Sequence, residues 1–101
     1  MKIARVQYTA KEDFVETNKQ NINAVMEELR ALNNPNVKYS TYLLEDGRTF
    51  MHFAVGTDEE AVKVIGQLES FKQFRAELAE GAEAKPQAQN AELVGSSFDW
   101  F

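Results

Sequence analysis

The sequence predicts a small α+β fold whose elements follow the order strand, helix, strand, strand, helix, strand. Three observations indicate this order. Residues 2 to 8 alternate with the period of a strand, two later stretches repeat apolar residues at helical spacing, and an Asp-Gly pair joins two β-rich segments at the centre. This is the ferredoxin-like βαββαβ order, with a four-stranded antiparallel sheet whose central strands are one and three. A chain of 101 residues fits one such domain, so residues 1–101 are expected to form a single unit.

The first half of the chain predicts a strand and a long helix. Lys2 to Tyr8 forms the strand, and a helix is expected to start near Asp13, which with Glu16 has the residue types of a capping pair. The apolar stripe of this helix comprises Ile22, Val25, Met26, Leu29 and Leu32. Asn33-Asn34-Pro35 is predicted to end the helix, because proline disfavours helical backbone in the residue before it.

The second half predicts a hairpin, a helix and a final strand. Val37 to Leu44 and Thr49 to Val55 are joined by a turn that contains Asp46-Gly47. Thr57 and Glu60 are interpreted as a capping box for a helix that continues to Leu78, with a break expected near Ser70. Residues 81 to 90 lack large apolar side chains and are expected to form an exposed connection. The final strand is then predicted at Ala91 to Ser97.

Alternation along the central strands predicts which side chains face the helices. The predicted helix side consists of Ala4, Val6 and Tyr8 from strand one with Met51, Phe53 and Val55 from strand three. The other face would then carry Arg5, Gln7, Phe50 and His52, a mixed surface that a monomer would leave in water. Three aromatic residues also lie within the last four positions: Phe98, Trp100 and Phe101. These features predict a homodimer formed through the open sheet face and the C-terminal aromatic side chains.

The composition disfavours several functional classes. Sixteen acidic and eleven basic residues give a net charge of −5, which repels phosphate backbones and anionic lipid, so neither nucleic acid nor a membrane is an expected partner. The chain contains no cysteine and one histidine, so no metal site is predicted. No run of residues resembles a targeting signal or a spanning helix, and the expected location is the cytoplasm.

His52 and Arg5 are the candidate catalytic residues. His52 is the only side chain whose ordinary pKa lies near neutrality, and Arg5 has a fork of donors suited to an anionic group. The alternatives are that His52 is a packed residue held by one hydrogen bond and that Arg5 pairs with a carboxylate across the dimer. The candidate ligand-binding residues are Gln7, Phe50, Tyr42 and Tyr39; for the tyrosines, which could bind a phenolic or quinone oxygen, plain packing is the alternative.

Three stretches of the sequence resemble the dimeric α+β barrel superfamily, and within it the small antibiotic-biosynthesis-monooxygenase-like domains. They are MHFAV at residues 51 to 55, TDEEA at 57 to 61 and LESFKQF at 68 to 74. The resemblance implies a homodimer whose sheets face each other, and a pocket between each sheet and its helices or at the seam of the barrel. For enzymatic members it implies oxygenation of an aromatic or quinol-like substrate without a cofactor.

This sequence departs from the family pattern at three positions. The resemblance implies histidines where Ile65 and Ser70 stand and an acidic residue where Ala54 stands. Two functions therefore remain open. One is a dimeric module that binds a small molecule, such as an aromatic ligand, or serves as a non-catalytic scaffold, and the other is a cofactor-independent monooxygenase.

Overall fold

The computed structural model describes residues 1–101, and its elements follow the predicted order. The strands are β1 (Lys2–Thr9), β2 (Val37–Leu43), β3 (Thr49–Gly56) and β4 (Gln87–Ala91). The helices are α1 (Val15–Leu32), α2 (Glu59–Gln67) and α3 (Glu69–Gly81), and a 3-10 turn at Glu12–Phe14 precedes α1.

The four strands form one antiparallel sheet in the order β2-β3-β1-β4. β1 and β3 are therefore central, and the ferredoxin-like arrangement predicted from the sequence is confirmed. None of the helices is both long enough and apolar enough to pass through a membrane.

The predicted end of the first helix is found in the structure, whereas the two predicted helix caps are not. α1 ends at Leu32, just before Asn33-Asn34-Pro35, as predicted, and Asn33 caps it in the left-handed region at φ 50°. The cap predicted at Asp13 is wrong, because a 3-10 turn occupies this position and α1 begins at Val15 without a side-chain cap. α2 is capped by Asp58, whose Oδ1 accepts the backbone N–H of Ala61 at 2.9 Å, and not by the predicted Thr57.

The break expected near Ser70 lies at Leu68, which separates α2 from α3. Leu68 is extended at φ −69° and ψ 136°, and its buried side chain belongs to the hydrophobic core. The break turns the chain so that α3 packs beside α1 and places Phe71 and Phe74 over the sheet.

β4 lies earlier in the chain than the sequence predicted. It spans Gln87–Ala91, so it lies in the predicted connection except for Ala91, and residues 92 to 97 form no strand. All five residues of β4 are exposed, and the strand is held by backbone pairing with β1. Since backbone pairing at a sheet edge needs no apolar side chains, composition gave no signal for this strand.

The predicted orientation of β3 is wrong. β1 pairs with β3 so that Val6 lies opposite His52 and Tyr8 opposite Phe50, and residues opposite each other share a face. Tyr8 and His52 both contact Phe74 of α3, so Phe50 and His52 face the helices together with the β1 set. Both faces of β3 are largely apolar, so alternation alone did not distinguish them.

The hydrophobic core lies between this face and the helices. It consists of Tyr8, Ala10, Ile22, Val25, Phe50, Leu68, Phe74 and Leu78. The other sheet face carries no helix. Arg5, Gln7, Met51 and Phe53 lie on it, opposite one another in register.

Candidate ligand-binding site

Two adjoining cavities lie between the sheet and the helices, and we call them together the helix-side pocket. The α2 cavity, about 330 Å³, is lined by Ala4, Val6, Tyr39, His52, Ala54, Val62, Lys63, Ile65, Gly66 and Phe71. The α3 cavity, about 390 Å³, is lined by Val6, Tyr8, Tyr39, His52, Phe71, Phe74, Arg75, Leu78, Lys85, Pro86 and Ala88. Both cavities contact Val6, Tyr39, His52 and Phe71, so these four side chains stand where the two spaces meet.

A chain of hydrogen bonds passes through the wall of this pocket and is centred on His52. The Tyr8 hydroxyl lies 2.8 Å from Nε2 of His52, and the amide of Asn18 donates to the Tyr8 oxygen at 2.8 Å. On the other side of the ring, Nδ1 lies 2.6 Å from the Tyr39 hydroxyl and 3.0 Å from the Thr41 hydroxyl. Both ring nitrogens of His52 are therefore already bonded to protein groups.

The chain of bonds crosses three strands and one helix. Tyr8 comes from β1, His52 from β3, Tyr39 from β2, and Asn18 from the first turns of α1. The register of the sheet places them together, because Tyr39 and Ala54 are opposite each other, as are Thr41 and His52. One arrangement satisfies the Nε2 side: the Tyr8 oxygen accepts from Asn18, its hydroxyl proton goes to Nε2, and the ring proton resides on Nδ1.

Burial keeps every group of this network uncharged. Removal from water lowers the pKa of His52 to about 4 from its ordinary value of 6.5, so the imidazole is neutral at pH 7. Burial raises the pKa of Tyr8 above its ordinary range, and the Asn18 hydrogen bond opposes this only in part. Burial also raises the pKa of Tyr39, and the neighbouring Tyr8 adds to that effect. The part of the pocket wall around His52 therefore offers neutral donors and acceptors.

Tyr39 is the member of this network best placed to contact a ligand. His52 and Tyr8 are almost fully buried, with 3% and 5% of their surface exposed, whereas Tyr39 is half-buried and lines both cavities. Its hydroxyl is fixed by Nδ1 of His52, while its ring lies 6.4 Å from that of Phe71 in an edge-on contact. A hydroxyl held in this way retains capacity for one further hydrogen bond.

The structure separates the predicted site residues into three groups. His52 and Tyr39 meet at the helix-side pocket. Phe50 lies in the core, stacked on Tyr8 with ring centroids 5.6 Å apart, and lines neither cavity.

Arg5, Gln7 and Tyr42 lie on the opposite face of the sheet, so the predicted convergence of Arg5 on His52 is wrong. Arg5 donates to the side chains of Gln7 and Gln89, the latter at 3.0 Å, in a pocket of about 440 Å³ on the open face. Tyr42 is half exposed and packs edge-on against Phe53. The prediction failed because the two alternating sets of β3 side chains were assigned to the wrong faces of the sheet. A shift of one residue moves every side chain of a strand to the other face.

Sequence reasoning missed Asn18, which is fully buried and holds Tyr8 in place. A signal for it exists, because Asn18 stands four residues before Ile22 on the apolar stripe of α1, and a polar residue on such a stripe needs a buried partner. Its Oδ1 has no hydrogen-bond partner in the protein.

At two positions in the wall of the α2 cavity, this chain has an apolar residue where the family resemblance implies a polar one. Ala54 and Ile65 both belong to its wall. Ser70 does not line the pocket, and its hydroxyl and backbone N–H both donate to Glu28, at 2.6 and 3.0 Å. The α2 cavity therefore has no titratable side chain besides His52, Tyr39 and Lys63. No group of three or more histidine, aspartate or glutamate side chains is arranged to hold a metal ion.

Comparison of the fold with solved structures finds many close matches. An antibiotic biosynthesis monooxygenase matches with a TM-score of 0.80 at 13% identity, over 94% of this chain and 100% of that one. The chain has the fold of this group. Rv0793 from Mycobacterium tuberculosis matches with a TM-score of 0.79 at 14% identity, over 97% of this chain and 100% of its own.

SnoaB, a cofactor-independent oxygenase from Streptomyces nogalater, also has this monooxygenase-like fold. The match, to a mutant form of that protein, has a TM-score of 0.71 at 12% identity and covers 97% of this chain and 98% of that one. No family model and no curated protein matches the sequence. At these identities the likeness concerns the fold.

Proposed function

We propose that this protein is a homodimeric small-molecule-binding module whose helix-side pocket takes an aromatic molecule carrying a hydroxyl or carbonyl oxygen. The observation that carries the proposal is the neutral, hydrogen-bonded Tyr39 hydroxyl at a pocket walled mainly by apolar and aromatic side chains. Apolar pockets with a few fixed polar groups are typical of sites that bind small organic molecules. Phe71 and Val6 supply apolar contacts for a ring, and Tyr39 supplies the oriented polar contact.

His52 acts in this proposal as a positioning residue. Its Nδ1 fixes the Tyr39 hydroxyl, and its Nε2 is bonded to Tyr8, so neither nitrogen is free to take a proton from a ligand unless a protein partner is displaced. The apolar Ala54 and Ile65 provide no second acid or base in the α2 cavity. This arrangement favours binding over catalysis.

The test compares two ligands on two matched variants. Naphthalene-2-ol and naphthalene present the same ring system with and without a hydroxyl group. The wild-type protein is expected to bind the hydroxylated compound more tightly, by about tenfold or less, as one neutral hydrogen bond allows. Tyr39→Phe should lose this preference in calorimetry, whereas Tyr42→Phe, the same change on the opposite sheet face, should keep it.

Two results would count against the binding proposal. One is the absence of binding of either compound to the wild-type protein, and the other is an equal loss of preference in both tyrosine variants. The imidazole resonances of His52 provide an independent signal, since this is the only histidine in the chain. They are expected to shift on binding because His52 lines both cavities.

Cofactor-independent oxygenation is the second candidate function. It is favoured by the neutral state of His52. In the tautomer that carries its proton on Nε2, towards the Tyr8 oxygen, Nδ1 can accept a phenolic proton at pH 7 if the substrate hydroxyl replaces Tyr39 there. The fold shared with SnoaB agrees with it. Arg5, on the other sheet face, has no place in this chemistry unless a second copy brings it to a shared site.

Oxygen uptake distinguishes the two functions. A naphthohydroquinone that binds the pocket is incubated with the wild-type protein, with His52→Gln and with Tyr42→Phe, and uptake is measured above the protein-free rate. A catalyst would show uptake that His52→Gln abolishes and Tyr42→Phe retains. A binding module would take up no oxygen beyond the spontaneous rate.

A further inference from the structure

The α3 cavity carries two positive charges and no negative one. Its only charged lining residues are Arg75 and Lys85, and the rest of its wall is apolar or aromatic apart from His52. Neither cation lies within 4.0 Å of a carboxylate, because the ion pairs of this structure are made by other lysines and by Arg48. The chain as a whole has sixteen acidic and eleven basic residues and a net charge of −5, so the positive charge of this cavity is opposite in sign to that of the whole protein.

Arg75 is carried by the helix that forms the roof of the pocket. It follows Phe71 by four residues and precedes Leu78 by three, so all three lie on one face of α3 and all three line the α3 cavity. Arg75 is exposed although it lines the cavity, an arrangement typical of an arginine whose aliphatic stem packs on apolar side chains while its guanidinium stays in water.

Lys85 is carried by a short connection whose backbone is fixed at both ends. Ala82 bridges to Ala10, and the backbone N–H of Glu83 donates to the carbonyl of Thr9 at 2.9 Å. β4 begins two residues after Lys85, and the intervening Pro86 restricts the backbone of Lys85 to extended conformations. This lysine is thus held next to the pocket and does not belong to a free loop.

The nearest carboxylate along the chain does not neutralise Lys85. Glu83 lines the pocket on the open face together with Lys85, and it lines a further pocket beside α3 together with both Arg75 and Lys85. Glu83, however, is ion-paired with Arg48 at the far side of β1. Both cations at the α3 cavity therefore remain available to a ligand.

We propose that the ligand of the helix-side pocket is an aromatic acid whose anionic group is bound by Arg75 and Lys85 while its hydroxyl or carbonyl oxygen reaches Tyr39. This inference rests on the proposed binding function and names the substrate class of the same pocket. All three residues line the one cavity of about 390 Å³, which a two-ring compound fits. The planar guanidinium favours a carboxylate, which it can bind with two parallel hydrogen bonds.

The experiment measures the affinities of 6-hydroxy-2-naphthoic acid and naphthalene-2-ol by calorimetry at low ionic strength. The wild-type protein is expected to prefer the acid by about tenfold, as two partly exposed charge contacts allow. Arg75→Gln with Lys85→Gln should remove this preference, so that the variant binds the acid and naphthalene-2-ol with similar affinities. Lys11→Gln with Lys72→Gln makes the same change in net charge at residues that line neither cavity, and should keep the preference.

The possible results are distinguishable. If the wild-type protein binds both compounds equally, or if the control pair loses the preference as fully as the cavity pair, the aromatic-acid inference is overturned while the binding function stands. If neither compound binds, both proposals fail. Added salt provides a further check, since screening should weaken the binding of the acid to the wild-type protein more than the binding of naphthalene-2-ol.

Discussion

The buried imidazole of His52 sets a pH dependence of stability. The pKa of this group is about 4 in the folded protein and 6.5 when exposed to water, so the unfolded chain binds a proton more readily. The stabilisation is complete above pH 6.5 and is lost as the pH falls towards 4. Between pH 7 and pH 4.5 we expect a loss in unfolding free energy on the order of 2 to 3 kcal/mol from this residue.

Urea denaturation of the wild-type protein and of His52→Gln at both pH values measures this term. The variant should lose less stability on acidification, and the difference between the two proteins isolates His52. The hydrogen-bonded carboxylates Glu28 and Asp46, whose pKa values are lowered by Ser70 and by Thr49, remain in both proteins and cancel. An imidazole NMR titration with a midpoint near 6.5 would contradict the prediction.

The hydroxyl groups of the two tyrosines bonded to His52 should contribute unequally to the unfolding free energy. Tyr8→Phe leaves both the Asn18 amide and Nε2 of His52 without a partner in the interior, for an expected cost of about 2 to 4 kcal/mol. Tyr39→Phe leaves Nδ1 with the Thr41 hydroxyl at 3.0 Å, and its cost should stay near 1 kcal/mol. Equal costs in urea denaturation would show that the two ends of the network are equivalent.

The start of α2 provides a test at the scale of a single element. Asp58→Ala removes the oxygen that accepts the Ala61 N–H and should lower the unfolding free energy by about 1 kcal/mol. Thr57→Ala, one residue earlier, removes a hydroxyl that makes no hydrogen bond with the first turn and should change stability far less. If Thr57→Ala lowered stability more than Asp58→Ala in thermal or urea denaturation, the capping box predicted from the sequence at Thr57 would be supported instead.

Elements determined by local chemistry were predictable from the sequence. Asp46-Gly47 specified the hairpin, and its geometry follows from a glycine at φ 74° and from the Asp46 side chain, which accepts the backbone N–H of Thr49 at 2.8 Å. β4 was not predictable, because its exposed Gln87 to Ala91 segment is a strand only through its pairing with β1. The orientation of β3 likewise depends on partners in other strands.

The site residues also divide into those that local sequence indicates and those that only the packing of other elements places. His52 and Tyr39 could be selected by residue type and by their place in predicted strands, and both line the pocket. Arg5 lies on the open face as predicted, and it was His52 that was misplaced. A histidine in a strand suggests a polar residue of the open face, whereas here Tyr8 and Tyr39 satisfy its nitrogens within the interior. Arg75 is an ordinary exposed charge in the sequence, and only the packing of α3 over the sheet places it beside a cavity.

At the scale of the whole molecule, the open sheet face and the C-terminal segment leave much apolar surface in contact with water. Phe53 and Met51 lie on the face that no helix covers. In the C-terminal segment, Val94 is fully exposed and Phe98 is 57% exposed. The Lys38 ammonium of β2 lies 5.5 Å from the ring centre of Phe101, and the buried indole N–H of Trp100 has no acceptor. A second copy facing this surface would cover it, so we expect a homodimer.

Sedimentation of three proteins tests the dimer. The intact chain is expected to sediment as a dimer at micromolar concentration, and a chain truncated after Ser97 should shift towards monomer because it lacks Phe98, Trp100 and Phe101. Phe98→Ser should weaken association, since burial of such a ring contributes about 1.5 to 3 kcal/mol per protomer. Leu32→Ser, which removes a similarly exposed apolar side chain at the end of α1, should not. A monomeric intact chain would refute the dimer, and equal effects of Phe98→Ser and Leu32→Ser would exclude the tail from its interface.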